Sequence, residues 1–127
     1  MTADPPTRDG WEITPRDAAR RLAAGAAPLV DIRRADELER ARVEGAEWIP
    51  MGDLLDRIDE LDLDAGAPVS ILCHHGVRSL RMTLALHEIG FTGARSVAGG
   101  IDAWSATVDP TIPRYSEAPR APDDPCH

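Results

Sequence analysis

The chain has no lysine; all 14 of its basic residues are arginine. We read this as a coding bias toward arginine, alanine and glycine, without mechanistic meaning. Acids outnumber bases and the formal charge is −8, which argues against nucleic acid or an anionic membrane surface as a general partner. No apolar run approaches the ~20 residues of a membrane span, and no signal-peptide pattern precedes Trp11. Cysteine is scarce as well. Cys73 and Cys126 are the two present, too few and too far apart for a disulfide framework. The expectation is a cytoplasmic, reduced setting, in which a free thiol survives. At 127 residues the chain reads as one domain, long enough to bury a core without disulfide or metal staples.

Against this background one stretch stands out. Val69-Ser70-Ile71-Leu72 is a short apolar strand that runs directly into Cys73, and a long apolar helix is under way by Ser79. Between them lies a tight loop, Cys73-His74-His75-Gly76-Val77-Arg78. A strand-to-helix turn of this kind can point successive backbone N–H groups inward, forming a nest that suits an anion. The helix aims the positive end of its dipole at the same point. A cysteine placed there is favoured as the thiolate. A buried core cysteine is the plain alternative, but core packing does not call for His-His-Gly-x-Arg-Ser beside it.

The rest of the chain supplies a frame for this loop. Strands are predicted at residues 11–13, 28–32, 47–50, 69–72 and 94–98. The first helix begins at Thr14, read as its cap, with Pro15 in the first helical position and Gly25 as its stop. A short charged helix is predicted over 36–42, and Leu54, Leu55, Ile58 and Leu61 form a helical stripe. The helix after the loop carries two apolar lines, Val77-Leu80-Leu84 and Met82-Leu86-Ile89, which predicts a wide buried face. Trp48 and Trp104 are assigned to core and crevice wall, and Trp11 to an edge. Residues 1–10 read as a flexible leader, 11–107 as the domain, and 108–127 as a proline-rich arm that packs through Ile112 and Tyr115 and ends in disorder.

Strands alternating with helices predict an α/β fold, a mostly parallel central sheet with helices on both faces. In such sheets ligands gather beyond the carboxyl ends of the strands. Asp31, Cys73 and Gly99-Gly100 fall at those ends, so they are expected to rim one crevice.

Four segments, in order, resemble the rhodanese-type sulfurtransferases. The Cys73 loop resembles that family's active-site loop, in which a cysteine opens a six-residue loop. Leu29-Val30-Asp31-Ile32-Arg33 is similar to its strand ending in Asp-Val-Arg. Val43-Glu44-Gly45-Ala46 is similar to its His-Ile-Pro-Gly-Ala segment, with the histidine and proline absent. Gly99-Gly100-Ile101-Asp102-Ala103-Trp104 resembles its Gly-Gly-x-x-Ala-Trp segment. The resemblance covers about residues 11–107 and implies a rhodanese-like fold. It also implies a reaction: Cys73 takes the outer sulfur of thiosulfate or a persulfide, becomes a persulfide itself, and passes the sulfur to cyanide or a thiol, a protein thiol included. No metal or organic cofactor is implied.

The neighbours of Cys73 carry two readings each. The planar fork of Arg78 suits an oxyanion such as thiosulfate, and it suits bracing of the loop through Asp31 or carbonyls; donor binding is the expectation by a small margin. Arg33 has the same two readings and is assigned to structure, as is Asp31. Ser79 either donates to the thiolate or caps the helix, with capping expected. Gly76 supplies a backbone conformation that a Cβ would obstruct. His74 and His75 are placed at the mouth, where protonated rings add positive field for an anionic donor. As neighbours on a tight loop they are not expected to converge on a metal. Cys126 and His127 are read as tail residues, with a resolving-thiol role as a minor alternative.

The nearest enzymatic rival is a cysteine phosphatase or arsenate reductase. The loops of such phosphatases hold five residues between cysteine and arginine; here His74, His75, Gly76 and Val77 intervene. The smaller ring has fewer N–H groups and less room for a tetrahedral phosphate. A third class is a non-catalytic or sulfur-relay binding module of the same fold. The His-His pair differs from the Arg-Lys pair of thiosulfate-specialised members and the Gly-Ser pair of mercaptopyruvate-using ones, so the loop does not name the donor.

Overall fold

The computed structural model describes residues 3–116. Five strands alternate with five helices: β1 (Glu12–Ile13), α1 (Pro15–Ala23), β2 (Leu29–Asp31), α2 (Ala35–Arg40), β3 (Glu47–Trp48), α3 (Leu54–Arg57), β4 (Val69–Leu72), α4 (Val77–Glu88), β5 (Ala94–Val97) and α5 (Gly100–Thr107). The first helix starts as the sequence dictates. Thr14 Oγ1 accepts the Asp17 N–H at 3.1 Å, and Pro15 sits where a missing N–H costs nothing.

The strands form one sheet in the order β1-β5-β4-β2-β3. Every pairing is parallel, including the edges. Alternation along the strands sends side chains to two separate cores. Val69 and Ile71 of β4 join Val30 of β2, Leu54 of α3, and Met82 and Leu86 of α4 on one face. Leu72 joins Leu29, Ile13, Val97, Ala18 of α1, and Ile101 and Trp104 of α5 on the other. Burying a side chain such as Leu72 completely contributes about 1.5–3 kcal/mol. Helices therefore cover both faces, and β4, with the Cys73 loop at its end, lies at the centre.

Three expectations change. The buried face of α4 is narrower than its two apolar lines suggest: Met82 and Leu86 are buried, while Val77, Leu84 and Ile89 are exposed. A helix lying on one face of a sheet buries only a stripe of its circumference. The Leu54-to-Leu61 stripe is not one helix but a single α-turn between 3-10 turns at Met51–Asp53 and Ile58–Leu61, with Leu55 exposed. Trp48 is not a core residue. It lies on the edge strand β3, 44 % exposed, and its Nε1–H donates to the Arg33 carbonyl at 2.8 Å. Trp104 is buried. Among the described residues no helix is long and apolar enough to cross a membrane.

Candidate active site

The loop between β4 and α4 turns at Gly76, whose φ is +95°. A Cβ there would stand 3.1 Å from the Gly99 nitrogen, so both the dihedral and the space call for glycine. The turn brings the start of α4 back onto Cys73. The Gly76 and Ser79 N–H groups point at its sulfur, with N···Sγ distances of 3.0 and 3.3 Å. The sulfur also lies 3.3 Å from Ser79 Oγ, which shares a 2.6 Å hydrogen bond with Ser96 Oγ of β5. Ser79 is thus turned toward the sulfur and is not the helix cap; that position falls to Gly76, which has no side chain to offer. Two N–H donors at the positive end of a helix and a rotatable hydroxyl form an environment that accommodates negative charge on sulfur.

The loop is also held from below. The Ile101 and Asp102 N–H groups of α5 donate to the carbonyls of Cys73 and His74 at 2.8 and 3.1 Å. Gly100 makes this approach feasible, because a Cβ there would stand 2.3 Å from the His74 carbonyl oxygen. Gly99-Gly100 therefore supports the loop backbone and does not line the crevice.

Cys73 lies at the base of a pocket of about 850 Å³ walled by His74, His75, Val77, Arg78, Arg81, Asp102, Arg114, Tyr115 and Ser116. Its side is closed by a buried ionic network. Arg78 meets Glu37 of α2 through two parallel bonds, Nη1 to Oε1 at 2.7 Å and Nη2 to Oε2 at 2.8 Å. Glu37 also accepts the Tyr115 hydroxyl at 2.8 Å and the Arg34 N–H at 3.2 Å. Burial opposes ionisation of Glu37, but the Arg78 fork and the Tyr115 hydroxyl outweigh it and hold its pKa down at about 2. Burial and the Glu37 carboxylate push the Tyr115 phenol up, against the pull of Arg33.

A scan of the sequence against family descriptions matches the rhodanese-like domain over residues 14–107. The chain belongs to the rhodanese-like domain family. It is 37 % identical over 93 residues to the thiosulfate sulfurtransferase GlpE of Glaesserella parasuis, an alignment covering 73 % of this chain and 84 % of that protein. Among solved structures it resembles the human single-domain sulfurtransferase TSTD1, with a TM-score of 0.67 and 25 % identity over 76 % of this chain and 96 % of that one. It is also 31 % identical over 93 residues to the adenylyltransferase and sulfurtransferase UBA4 of Meyerozyma guilliermondii. That alignment covers 68 % of this chain and 22 % of the relative, so the chain spans about a fifth of that longer protein.

Within this rhodanese-like domain, the expected single crevice is only partly assembled. Asp31 does not reach it. Its carboxylate is taken up by Arg33, with Nε to Oδ1 at 3.0 Å and Nη2 to Oδ2 at 2.8 Å. Arg33 is fully buried and also donates to the Ala41 carbonyl at 2.7 Å and to Tyr115 Oη at 2.8 Å. Burial works against the Arg33 charge, yet Asp31 and Tyr115 raise its pKa above the ordinary value. Asp31 and Arg33 therefore touch the site only through Tyr115 and α2. The segment after α5 completes the wall: Ile112 is buried, Arg114 makes a bidentate pair with Asp102, and the His74 ring stacks on Tyr115 with centroids 3.9 Å apart.

His74, His75 and Asp102 place potential ligand atoms within 4.8 Å of one another, closer than adjacency in the loop suggests. A borderline cation such as zinc suits that donor set. Here His74 Nε2 is bonded to the Tyr115 carbonyl at 2.8 Å and both Asp102 oxygens face Arg114, so an ion would have to displace those partners. Sequence reasoning missed Glu37, Ser96, Asp102 and Arg114 as members of the site. In the sequence Glu37 looks no different from Glu39, and only the contact across the fold separates them. Cys126, His127 and the end of the proline-rich arm lie outside the described residues.

Proposed function

We propose that this rhodanese-like protein is a sulfurtransferase working through a persulfide on Cys73. The observation that carries the reading is the pair of N–H groups from Gly76 and Ser79 on the Cys73 sulfur at the base of an open pocket. The thiolate attacks the outer sulfur of thiosulfate; an S–S bond forms, the S–S bond of thiosulfate breaks, and sulfite leaves with its electron pair. The outer sulfur of the resulting persulfide is then taken by cyanide or a thiolate, and Cys73 departs as the thiolate. Atoms and charge balance without an oxidant or cofactor. The exposed Arg81 guanidinium adds positive charge at the mouth for an anionic donor, with His75 exposed beside it. His74, 2 % exposed and bonded to the Tyr115 carbonyl, belongs to the wall and not to the mouth.

In this reading Arg78 is a positioning residue, because its fork is already matched to Glu37. That same pairing weighs against a phosphatase, whose arginine must offer its fork to phosphate. Val77 lies at the rim, 59 % exposed, and contributes shape. Intact-mass measurement after incubation with thiosulfate tests the proposal. The expected result is a gain of one sulfur atom, removed by cyanide and absent in Cys73→Ser. No gain in the wild-type protein, or an unchanged gain in Cys73→Ser, overturns it.

A further inference from the structure

Helix α4 leaves the Cys73 loop with an apolar line facing solvent. Val77 is 59 % and Leu84 44 % exposed, with Leu80 half-buried between them. At this spacing the three side chains share one helix face. Scattered exposed apolar residues need no explanation. A line of them flanking a catalytic pocket is a patch of the kind that marks an interaction site.

The patch borders a groove of about 360 Å³ that runs past Arg8, Glu12, Leu80 and Leu84. The groove shares His75, Val77 and Arg81 with the pocket above Cys73, so this channel along α4 adjoins the pocket at the start of the helix. Cys73 itself is 1 % exposed. An acceptor thiol must therefore be inserted into the pocket, and the adjoining channel offers a surface for the segment that carries it. The pocket is far larger than a small inorganic anion requires.

The charge along the channel differs from that of the whole protein. The chain carries −8 overall, yet the channel is flanked by Arg8 and Arg81. Arg81 is exposed and has no carboxylate partner among the described residues. Arg8 is largely exposed; Glu12, which also lines the groove but is mostly buried, accepts the Arg8 N–H at 2.9 Å and lies 4.0 Å from its guanidinium. The strip therefore has two guanidinium groups to one carboxylate and stays net positive, with Arg81 as the unneutralised charge. An acidic segment is attracted to this strip and repelled by the rest of the surface, which orients it along the channel.

We propose that the channel along α4 docks a protein sulfur acceptor whose cysteine is presented on a segment with apolar and acidic side chains. The proposal rests on the Cys73 persulfide reading. In the transfer step the acceptor thiolate, its proton already lost to solvent, attacks the outer sulfur of the Cys73 persulfide. A new S–S bond forms on the acceptor, the Cys73 Sγ–S bond breaks, and Cys73 leaves as the thiolate.

The test uses the full chain and three acceptors: cyanide, a synthetic cysteine peptide flanked by leucines and aspartates, and its counterpart with lysines in place of the aspartates. Sulfur transfer to the aspartate peptide should be on the order of tenfold faster than to the lysine peptide, with the gap closing at high salt. Leu84→Asp should lose that advantage while thiosulfate-to-cyanide turnover is unchanged, and Arg81→Glu should reverse the peptide preference. Equal rates for both peptides, or a Leu84→Asp protein that transfers to them as the wild type does, overturn the docking channel. So does a sizing measurement in which Leu84→Asp converts a dimer to a monomer, because the patch then belongs to a second copy. If the wild type turns over no thiosulfate, the persulfide reading fails. Binding of labelled peptides with serine for cysteine then decides the channel by itself: preference for the acidic peptide supports it, and equal binding overturns it.

Discussion

Arg78 and Glu37, 41 positions apart in the chain, are joined by two parallel hydrogen bonds of 2.7 and 2.8 Å. Both side chains are almost fully withdrawn from water. A bidentate pair of this kind is strong and geometrically specific. Losing one member leaves the other as an uncompensated buried charge. The pair ties the start of α4, and with it the donors to Cys73, to α2.

Arg78→Ala should therefore cost about 3–5 kcal/mol of stability and should slow transfer from thiosulfate and from a neutral persulfide donor by a similar factor. Arg78→Lys keeps the charge but cannot form both bonds, so it should restore little. Comparing turnover with the two donors checks this. A loss confined to thiosulfate would return Arg78 to direct donor binding.

Glu37 predicts an acid limb in stability. Its folded pKa of about 2 lies below the ordinary value of 4.5, so the unfolded chain takes up the proton first as pH falls. Its contribution is complete above about pH 4.5 and is lost progressively as pH drops toward 2, a change on the order of 3 kcal/mol. Denaturant unfolding of wild type and Glu37→Gln should show a gap that is wide at pH 7 and narrows below pH 4.5. A gap independent of pH would place the stabilisation elsewhere.

Asp31→Ala leaves Arg33 buried without its carboxylate. The expected loss is about 3–5 kcal/mol in urea unfolding, with the rate of the folded fraction little changed, because Asp31 does not line the pocket. A large rate defect at unchanged stability would put Asp31 in the chemistry.

Gly100→Ala tests the support beneath the loop. At φ +61°, and with its Cβ 2.3 Å from the His74 carbonyl oxygen, alanine should cost about 3 kcal/mol or more. It should also weaken sulfur transfer, since the loop backbone must move away from α5. Wild-type melting and activity in this variant would remove α5 from the support of the site.

Cys73→Ser should abolish sulfur transfer without unfolding the protein, whereas Cys126→Ser should leave the rate close to wild type. Thiosulfate-to-cyanide turnover of both variants is the measurement. A dead Cys126→Ser protein would reassign the sulfur carrier.

The sequence by itself determined the order of strands and helices, the cap at Thr14, and the placement of Cys73 on a strand-to-helix turn. These features are local. Apolar alternation, proline at a helix start and glycine at a positive φ act within a few residues, so they are legible in one dimension. Only the tertiary structure decided which charges meet. Arg78 finds Glu37 where the sequence offered Asp31, Arg33 finds Asp31 and Tyr115, and Ser79 finds Ser96. The sheet order that places β4 between β2 and β5 brings Ser96 beside the sulfur. Packing of the segment after α5 sets Tyr115 between Arg33 and Glu37, 82 and 78 positions away. A charged side chain carries no mark of its partner in the sequence, and its choice is made by whichever opposite charge the fold buries next to it. The same holds for Trp48: its position on an edge strand, and not its hydrophobicity, left it in water.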